Sequence, residues 1–158
     1  MGADRDATDH VTAGEARRRP VYDSYARLSR VPETPVFATD RLLISGERRM
    51  LHRLYVPLPT AAQVCALETD PFRTPGETYR ELVAAGLDIT WTESVQATIP
   101  APDDAASLHS TPGAAILITR RTATDPAGRP LVLEETRRSA EGVQLTYRIT
   151  PAWTVAHG

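Results

Sequence analysis

Apolar and polar residues alternate with a period of two along most of the chain after residue 35, a pattern typical of β-strands. The alternation predicts strands over 36–44, 49–57, 87–99, 114–122, 129–138 and 143–149. Ser45 and Gly46 join the first two strands into one predicted hairpin, and a turn at 125–128 joins the fourth and fifth into another.

Capping-box spacing marks the start of two helices. The box is a Ser or Thr followed three residues later by Glu or Gln, and it begins at Thr60 and again at Thr74. We therefore predict helices over 60–67 and from 75 to a stop at Gly86. The face of the second helix that we expect to be buried consists of Tyr79, Leu82 and Val83.

The order of elements favours the α+β class. Two strands precede the two helices, and a third strand, a short helix over 103–108 and three closely spaced strands follow. Strands joined by short turns pair antiparallel, so we predict an antiparallel β-sheet flanked by helices. The predicted layout comprises a disordered polar arm (1–20), a linker or docked helical turn (21–35), the domain itself (36–152) and a tail (153–158).

Composition narrows the function classes. The 158 residues are 41% hydrophobic and 24% charged, as expected for one globular domain. All 18 basic residues are arginine, which excludes lysine-based Schiff-base chemistry. A net charge of -2 gives no overall positive electrostatic potential, which a protein needs to bind the phosphate backbone of nucleic acid. The sequence lacks both a membrane-spanning apolar run and the apolar region of a signal peptide, which indicates a cytoplasmic protein.

Cysteine and histidine are too sparse for a metal centre. Cys65 is the single cysteine, which excludes a disulfide, and we interpret it as a small buried hydrophobe on the first helix. His52 is the only histidine in a predicted strand. We therefore predict no metal site and no cofactor.

Glu93 interrupts the face of the third strand that we expect to be buried, between Trp91 and Val95. A carboxylate in such a place must be paired or hydrogen-bonded, or it takes up a proton. Three roles remain open: an ion pair with a hairpin arginine, the lining of a ligand pocket, and general acid or base chemistry.

Polar residues of the two hairpins extend this candidate site. His52 shares its side of a strand with apolar residues. It is therefore either a core histidine whose hydrogen bonds are formed within the protein or a histidine that lines a ligand pocket. Strand alternation lets only one of Glu134 and Glu135 face inward. A pocket that combines Arg41 or Arg121 with a carboxylate would suit a small polar or anionic metabolite.

Three stretches in this order resemble the UTRA domain, the effector-binding half of HutC-type regulators in the GntR family. They are RLLISGERRMLHRLYVP (41–57), GETYRELVAAGLDITWTESVQA (76–97), and AAILITRRTATDPAGRPLVLEETRR (114–138) followed by VQLTYRI (143–149). The resemblance implies a chorismate lyase-like fold, a pocket for a small metabolite and frequent dimerisation.

The resemblance also suggests roles for individual residues. Arg121 matches the arginine that precedes the family's Gly-Pro turn, and Arg41 lies within one position of its ligand-binding arginine pair. His52 stands where many members have a pocket glutamate, and Glu134 lies two residues beyond the usual carboxylate. The predicted ligand-binding residues are Arg41, His52, Trp91, Glu93, Arg121, Glu134 and Tyr147.

The sequence departs from the family pattern at its N-terminal side. The family has a further strand and helix before the first hairpin, as part of a phosphate cradle, where this chain has only 22–36. A sugar-phosphate effector is therefore not favoured. The winged-helix domain that would precede this region is absent from the sequence, so we expect no direct DNA binding by this chain alone.

Three functions follow from these observations. The first is the binding of a small-molecule effector, linked to transcriptional regulation, by a homodimer without membrane attachment. The second is a metal-free lyase, isomerase or cyclase in which Glu93, Glu134 or His52 acts as acid or base. The third is a dimerisation module. The sequence does not identify the ligand.

Overall fold

Six described strands form one antiparallel β-sheet. The computed structural model describes the backbone of His10–Ala13 and all of residues 34–148. The strand order is β1-β2-β3-β6-β5-β4, and every neighbouring pair is antiparallel. The strands are β1 (His10–Ala13), β2 (Val36–Ser45), β3 (Arg48–Pro57), β4 (Thr90–Thr98), β5 (Ile116–Thr124) and β6 (Pro130–Ser139).

Helices cover parts of both faces of this sheet. We call face A the face that carries Leu54 and Val132, and face B the face that carries Tyr55 and Leu133. The helices are α1 (Leu58–Gln63), α2 (Cys65–Thr69), α3 (Pro75–Ala84) and α4 (Pro102–Leu108). None of these described helices is long and apolar enough to cross a membrane.

The main hydrophobic core joins α1, α2 and α3 to face A. Its buried residues are Leu54, Val56, Ala61, Val64, Leu67, Leu82, Ala123, Leu131 and Val132. Full burial of one such side chain stabilises a fold by roughly 1.5–3 kcal/mol. On face B, Leu108 of α4 packs on Ile116 and Ile118 of β5. The predicted antiparallel sheet flanked by helices is confirmed.

The predicted hairpins are present, and the first turn lies one residue later than expected. Gly46 and Glu47 form the turn between β2 and β3. Gly46 has φ +58°, a left-handed conformation that glycine adopts without steric cost. The second hairpin turns at 125–128, where Gly128 has φ +80°.

The predicted start of the first helix is wrong. α1 begins at Leu58, two residues before Thr60, and no side chain caps it. Pro59 lies in the first turn, where its fixed φ suits a helix and its missing N–H is not needed. The extended backbone of Val64 then separates α1 from α2. Cys65, predicted to be buried, is exposed because Val64 and Leu67 take the buried positions.

The second capping box is confirmed. The Glu77 N–H donates to Thr74 Oγ1 at 3.4 Å, and the Thr74 N–H donates to Glu77 Oε2 at 2.9 Å. α3 ends before Gly86, as predicted, and Leu82 is buried. The prediction for Val83 is wrong, because its side chain points away from the core and is 60% exposed.

The predicted burial of one face of β4 is also wrong. β4 is an edge strand of the described sheet and pairs only with β5. Trp91 is 49% exposed and Val95 is 40% exposed. Alternation identifies the side chains that share a face, whereas their burial depends on which neighbours cover that face.

The predicted last strand is not formed over residues 143–148. β6, which precedes this segment, already has β3 on one side and β5 on the other, so the segment cannot pair with the strand nearest to it in sequence. Residue 149 lies outside the described residues.

The proposed domain boundaries remain predictions. Residues 10–13, inside the predicted polar arm, form β1 beside β2. The rest of that arm, most of the predicted linker at 21–35 and the tail at 153–158 lie outside the described residues.

Candidate ligand-binding site

Six of the predicted ligand-binding residues lie on strands, and the sheet register places all six on face A. Arg41 of β2 is directly opposite His52 of β3. Glu134 of β6 is opposite Arg121 of β5, which is opposite Glu93 of β4. Directly opposed residues of neighbouring strands project from the same side of a sheet. The sixth residue, Trp91, lies two positions before Glu93 and shares its face.

His52 and Glu134 form a hydrogen-bonded pair beneath α3. His52 Nε2 lies 3.0 Å from Glu134 Oε1, and only 4% of the His52 side chain is exposed. Among the described residues His52 Nδ1 has no hydrogen-bond partner. Burial raises the pKa of Glu134, but contacts with His52, the positive charge of Arg121 and the Tyr79 hydroxyl outweigh it and hold that pKa below its ordinary value.

Tyr79 is a site residue that the sequence analysis missed. It lies on α3, and its hydroxyl donates to Glu134 Oε2 at 3.3 Å. Its ring meets that of Trp91 edge-on, with the centroids 5.7 Å apart. Burial, together with the charge of Glu134, raises the pKa of Tyr79, so the hydroxyl stays a proton donor. One signal in the sequence could have identified Tyr79. It lies on the predicted buried face of its helix, where a tyrosine hydroxyl needs a polar partner.

Glu93 forms an ion pair at the edge of the sheet. Arg121 donates to Glu93 Oε2 from Nε at 3.0 Å and from Nη2 at 2.7 Å. The Tyr147 hydroxyl donates to Glu93 Oε1 at 2.9 Å. These bonds, those from Arg121 above all, lower the pKa of Glu93. An ion pair with a hairpin arginine, one of the three roles left open for Glu93, is therefore present, but 47% of the Arg121 side chain is exposed, so the pair is not deeply buried.

Arg41 connects β2 to the loop between α2 and α3. Its Nη2 donates to the carbonyl oxygens of Phe72 at 2.7 Å and Arg73 at 2.8 Å. Arg41 is buried, and its Nη1 has no hydrogen-bond partner among the described residues. Burial lowers the pKa of Arg41, an effect that the more distant charges of Glu77 and Asp70 partly offset.

The site therefore combines two carboxylates, two guanidinium groups, a histidine and three aromatic residues. We call it the face-A cluster: Arg41, His52, Tyr79, Trp91, Glu93, Arg121, Glu134 and Tyr147. Such a set can hold a polar molecule through charge-assisted hydrogen bonds, and its His–Glu pair can also move a proton. No group of three His, Cys, Asp or Glu residues within 34–148 is arranged to hold a metal ion.

A second set of charged residues on face B was also missed. Glu135, next to Glu134, points to the opposite side, as the alternation predicted, and is only 3% exposed. Arg120 donates to its Oε2 at 2.6 Å, and Arg137 donates to its Oε1 at 2.9 Å. Strand alternation correctly predicted that Glu134 and Glu135 point to opposite sides of the sheet. It did not indicate that Glu135 is buried as well.

Comparison with known proteins relates this fold to bacterial regulators. The sequence matches no family model and none of the curated proteins. The structure is similar to PhnF from Mycobacterium smegmatis (16% identity, TM-score 0.66), covering 89% of this chain and 62% of that one. The chain thus spans less than two thirds of PhnF.

Two isolated regulator domains match over nearly their full length. One is the ligand-binding domain of a putative GntR-family transcriptional regulator from Bordetella bronchiseptica (17% identity, TM-score 0.66, 90% of this chain and 92% of that one). The other is the C-terminal domain of the histidine utilization repressor from Pseudomonas syringae pv. tomato str. DC3000 (15% identity, TM-score 0.67, 89% and 98%). This chain has the fold of these regulator domains, as the resemblance of its sequence implied.

Proposed function

We propose that the domain binds a small-molecule effector at the face-A cluster and thereby takes part in transcriptional regulation in the cytoplasm. The fold supports this proposal, because one structural neighbour is the ligand-binding domain of a putative GntR-family regulator. The chain spans 62% of PhnF, so the regulatory activity of a whole protein is part of the proposal.

The observation that carries the proposal is a pair of buried nitrogen atoms without hydrogen-bond partners in the described chain. They are Nη1 of Arg41 and Nδ1 of His52, on directly opposed residues of β2 and β3. A buried polar group without a partner costs about 1–3 kcal/mol, and more when it is charged. A ligand that hydrogen-bonds both nitrogens would recover this free energy on binding.

The charges of the site favour a small polar ligand with an anionic group. Arg41 is buried, and no described carboxylate is close enough to form a salt bridge with it. A negative group on the ligand would supply the missing counter-ion. Glu134 and Glu93 would accept hydrogen bonds from ligand hydroxyl or amino groups, and the half-exposed ring of Trp91 would cover an apolar part.

The test is ligand capture followed by native mass spectrometry. Wild type, Arg41→Gln and the control Arg80→Gln, whose arginine lies on the exposed side of α3, are incubated with extracts of the source cells. We expect the same added mass on wild type and control, and at least about tenfold lower occupancy in Arg41→Gln, because a charged hydrogen bond is lost. Equal occupancy in folded Arg41→Gln, verified by circular dichroism, would contradict the proposal.

A second candidate is an enzyme of the lyase, isomerase or cyclase type. The 3.0 Å contact between His52 Nε2 and Glu134 Oε1 favours it, because a histidine held through one nitrogen can use the other as a base. The captured compound is incubated with the protein and followed by proton NMR. Conversion that is lost in His52→Ala or Glu93→Gln supports catalysis, and a compound that wild type leaves unchanged rules it out.

A further inference from the structure

Arg138 is a charged residue of face A that lies outside the face-A cluster as defined above. It lies on β6, four positions after Glu134, so its side chain projects from the same side of the sheet. The register places it opposite Met50 of β3 and Leu117 of β5. A half-buried positive charge therefore has an apolar residue beside it on each neighbouring strand.

The guanidinium group of Arg138 has no partner among the described residues. It forms no hydrogen bond and no ion pair with them, although its Nε is buried. A buried donor without a partner costs free energy, and the cost is larger when the donor is charged. A bound anion would supply the missing acceptors, because one edge of a guanidinium group binds a carboxylate through two parallel hydrogen bonds.

The carboxylates of the face-A cluster are already bound by other residues. Glu93 is paired with Arg121. Glu134 is in contact with His52. Neither carboxylate forms an ion pair with Arg138. No described carboxylate thus serves as the counter-ion of Arg138.

Arg138 lies close enough to the face-A cluster for its charge to act on Tyr147. The hydrogen bond to Glu93 raises the pKa of the Tyr147 hydroxyl, and the positive charges of Arg121 and Arg138 oppose this rise. Charges at or near the protein surface act mainly on groups within about 10 Å of them. Arg138 therefore borders the cluster.

Arg138 and Arg41 stand at the two ends of one strip of face A. Arg41 is opposite His52, and His52 is opposite Thr136, which lies two positions before Arg138. Two strand spacings and two residues along the strand put the Cα atoms of the two arginines about 12 Å apart. Between them, His52 Nδ1 and the Thr136 hydroxyl have no hydrogen-bond partner among the described residues. The strip thus has a cation at each end and unused polar atoms in the middle.

We propose that Arg138 is a second anion-binding residue of the effector site, and that the effector is a dianion with one negative group on Arg41 and the other on Arg138. This inference rests on the proposed function and names the chemical class of its effector. A dicarboxylate with a short carbon chain is the simplest member of this class. The chain lies over His52 and Thr136, whose unused atoms suit a hydroxyl or amino substituent.

The test compares dicarboxylates with monocarboxylates of the same chain length by NMR titration of the full chain. The probes are succinate, glutarate, adipate and pimelate, with butyrate, valerate, hexanoate and heptanoate as matched monoanions. We expect at least one dicarboxylate to give saturable shifts in the amides of 41–43, 50–52 and 136–138, with at least about tenfold higher affinity than its monoanion. Equal affinities within every pair, or no saturation by any dicarboxylate below about 10 mM, would overturn the proposal.

Arg138→Met tests the assignment of the second charge, with the exposed Arg80→Met as the matched control. Methionine keeps an unbranched apolar stem and removes the guanidinium group. We expect Arg138→Met to bind the dicarboxylate about as weakly as wild type binds the monoanion, with its affinity for the monoanion unchanged, and the control to match wild type. An equal loss for both probes, or no loss for either, would overturn the assignment.

Urea unfolding of the ligand-free proteins separates a binding role of Arg138 from a structural one. Because its guanidinium group has no partner in the described chain, we expect the unfolding midpoint of Arg138→Met not to fall below that of the control. A lower midpoint would show that Arg138 supports the fold, and would contradict the proposal.

The two proposals for face A can fail separately in the capture experiment described above. Wild type without any added mass would contradict effector binding itself. An added mass with equal occupancy in wild type and Arg138→Met would leave effector binding intact and overturn only the second anion-binding position.

Discussion

At the residue scale, Glu134 connects the strands to α3. Its Oε1 meets His52 of β3, and its Oε2 accepts from Tyr79 of α3. The pKa of Glu134 lies below its ordinary value, because these contacts and Arg121 outweigh the effect of burial. The ionised carboxylate therefore stabilises the folded state.

This leads to a prediction for Glu134→Gln. Stability from a lowered carboxyl pKa is present above the unfolded-state pKa, about 4.3, and is lost as the pH falls through the folded-state pKa. We expect the variant to be about 1 kcal/mol less stable at pH 7, and the gap to shrink below about pH 4. Urea unfolding at both pH values measures this gap.

The exposed Glu141→Gln is the control for this prediction and should match wild type at both pH values. A gap that is as large at pH 3 as at pH 7 would show that Glu134 does not act through its charge.

Period-two alternation predicted that Trp91 and Glu93 share one face of their strand and that Glu134 and Glu135 point to opposite sides, and the register agrees with both. This succeeds because alternation is a local property of the extended chain. Tyr79 was missed as a site residue because its partner Glu134 lies 55 positions away in sequence, and only the packing of α3 on β6 brings them together.

At the element scale, the N-terminus of α3 supports the candidate site. Thr74 and Glu77 cap the helix, and the preceding Phe72 and Arg73 offer their carbonyl groups to Arg41. The conformation of this loop and the position of the buried arginine therefore depend on each other.

Thr74→Ala should weaken this end of α3. The variant removes the hydroxyl that accepts from the Glu77 N–H, and we expect a loss of about 1 kcal/mol. Hydrogen exchange should become faster in the amides of 72–78, while urea unfolding gives the change in stability. Thr111→Ala, at an exposed loop position, serves as the control. Unchanged exchange at 72–78 would mean that the cap does not hold the loop.

The two capping boxes illustrate what local motifs can predict. The box at Thr74 was predicted correctly, since Pro75 and Glu77 favour the same helix start. The box at Thr60 has the same spacing, but Pro59 lets the helix begin earlier, and Thr60 becomes a buried residue inside it. Spacing alone cannot decide between two competing starts that lie two residues apart.

At the scale of the whole molecule, β4 is the outer strand at one end of the described sheet. β4 has the sequence TWTESVQAT, without Lys, Arg or Pro, and it exposes Trp91 and Val95. Proteins usually protect such edges with charges, prolines or bulges. The dimer expected from the sequence remains a proposal, and β4 is the strand through which we expect two copies to pair.

Val95→Arg tests this pairing, and Val83→Arg on the exposed side of α3 is the matched control. We expect wild type and the control to sediment as dimers, and Val95→Arg to shift toward the monomer, because a charge is placed on the paired edge. A monomeric wild type, or dimers that persist in both variants, would contradict pairing through β4.

The fold class was predictable because hairpins, alternation and a correct cap all agreed on an antiparallel sheet with helices. The exposure of β4 was not, since it depends on which element covers the outer strand. The segment 143–148 alternates like a strand, yet it forms none, and both positions beside β6, the strand that precedes it, are already taken.

One carboxylate that is shared between a strand and a helix has a mechanical consequence. A guest that donates a hydrogen bond to Glu134 competes with Tyr79 and His52 for this carboxylate, and losing the bond from Tyr79 would loosen the contact between α3 and the sheet. Binding of a ligand at the face-A cluster would then move α3. A neighbouring domain in contact with α3 would respond to this movement without contacting the ligand.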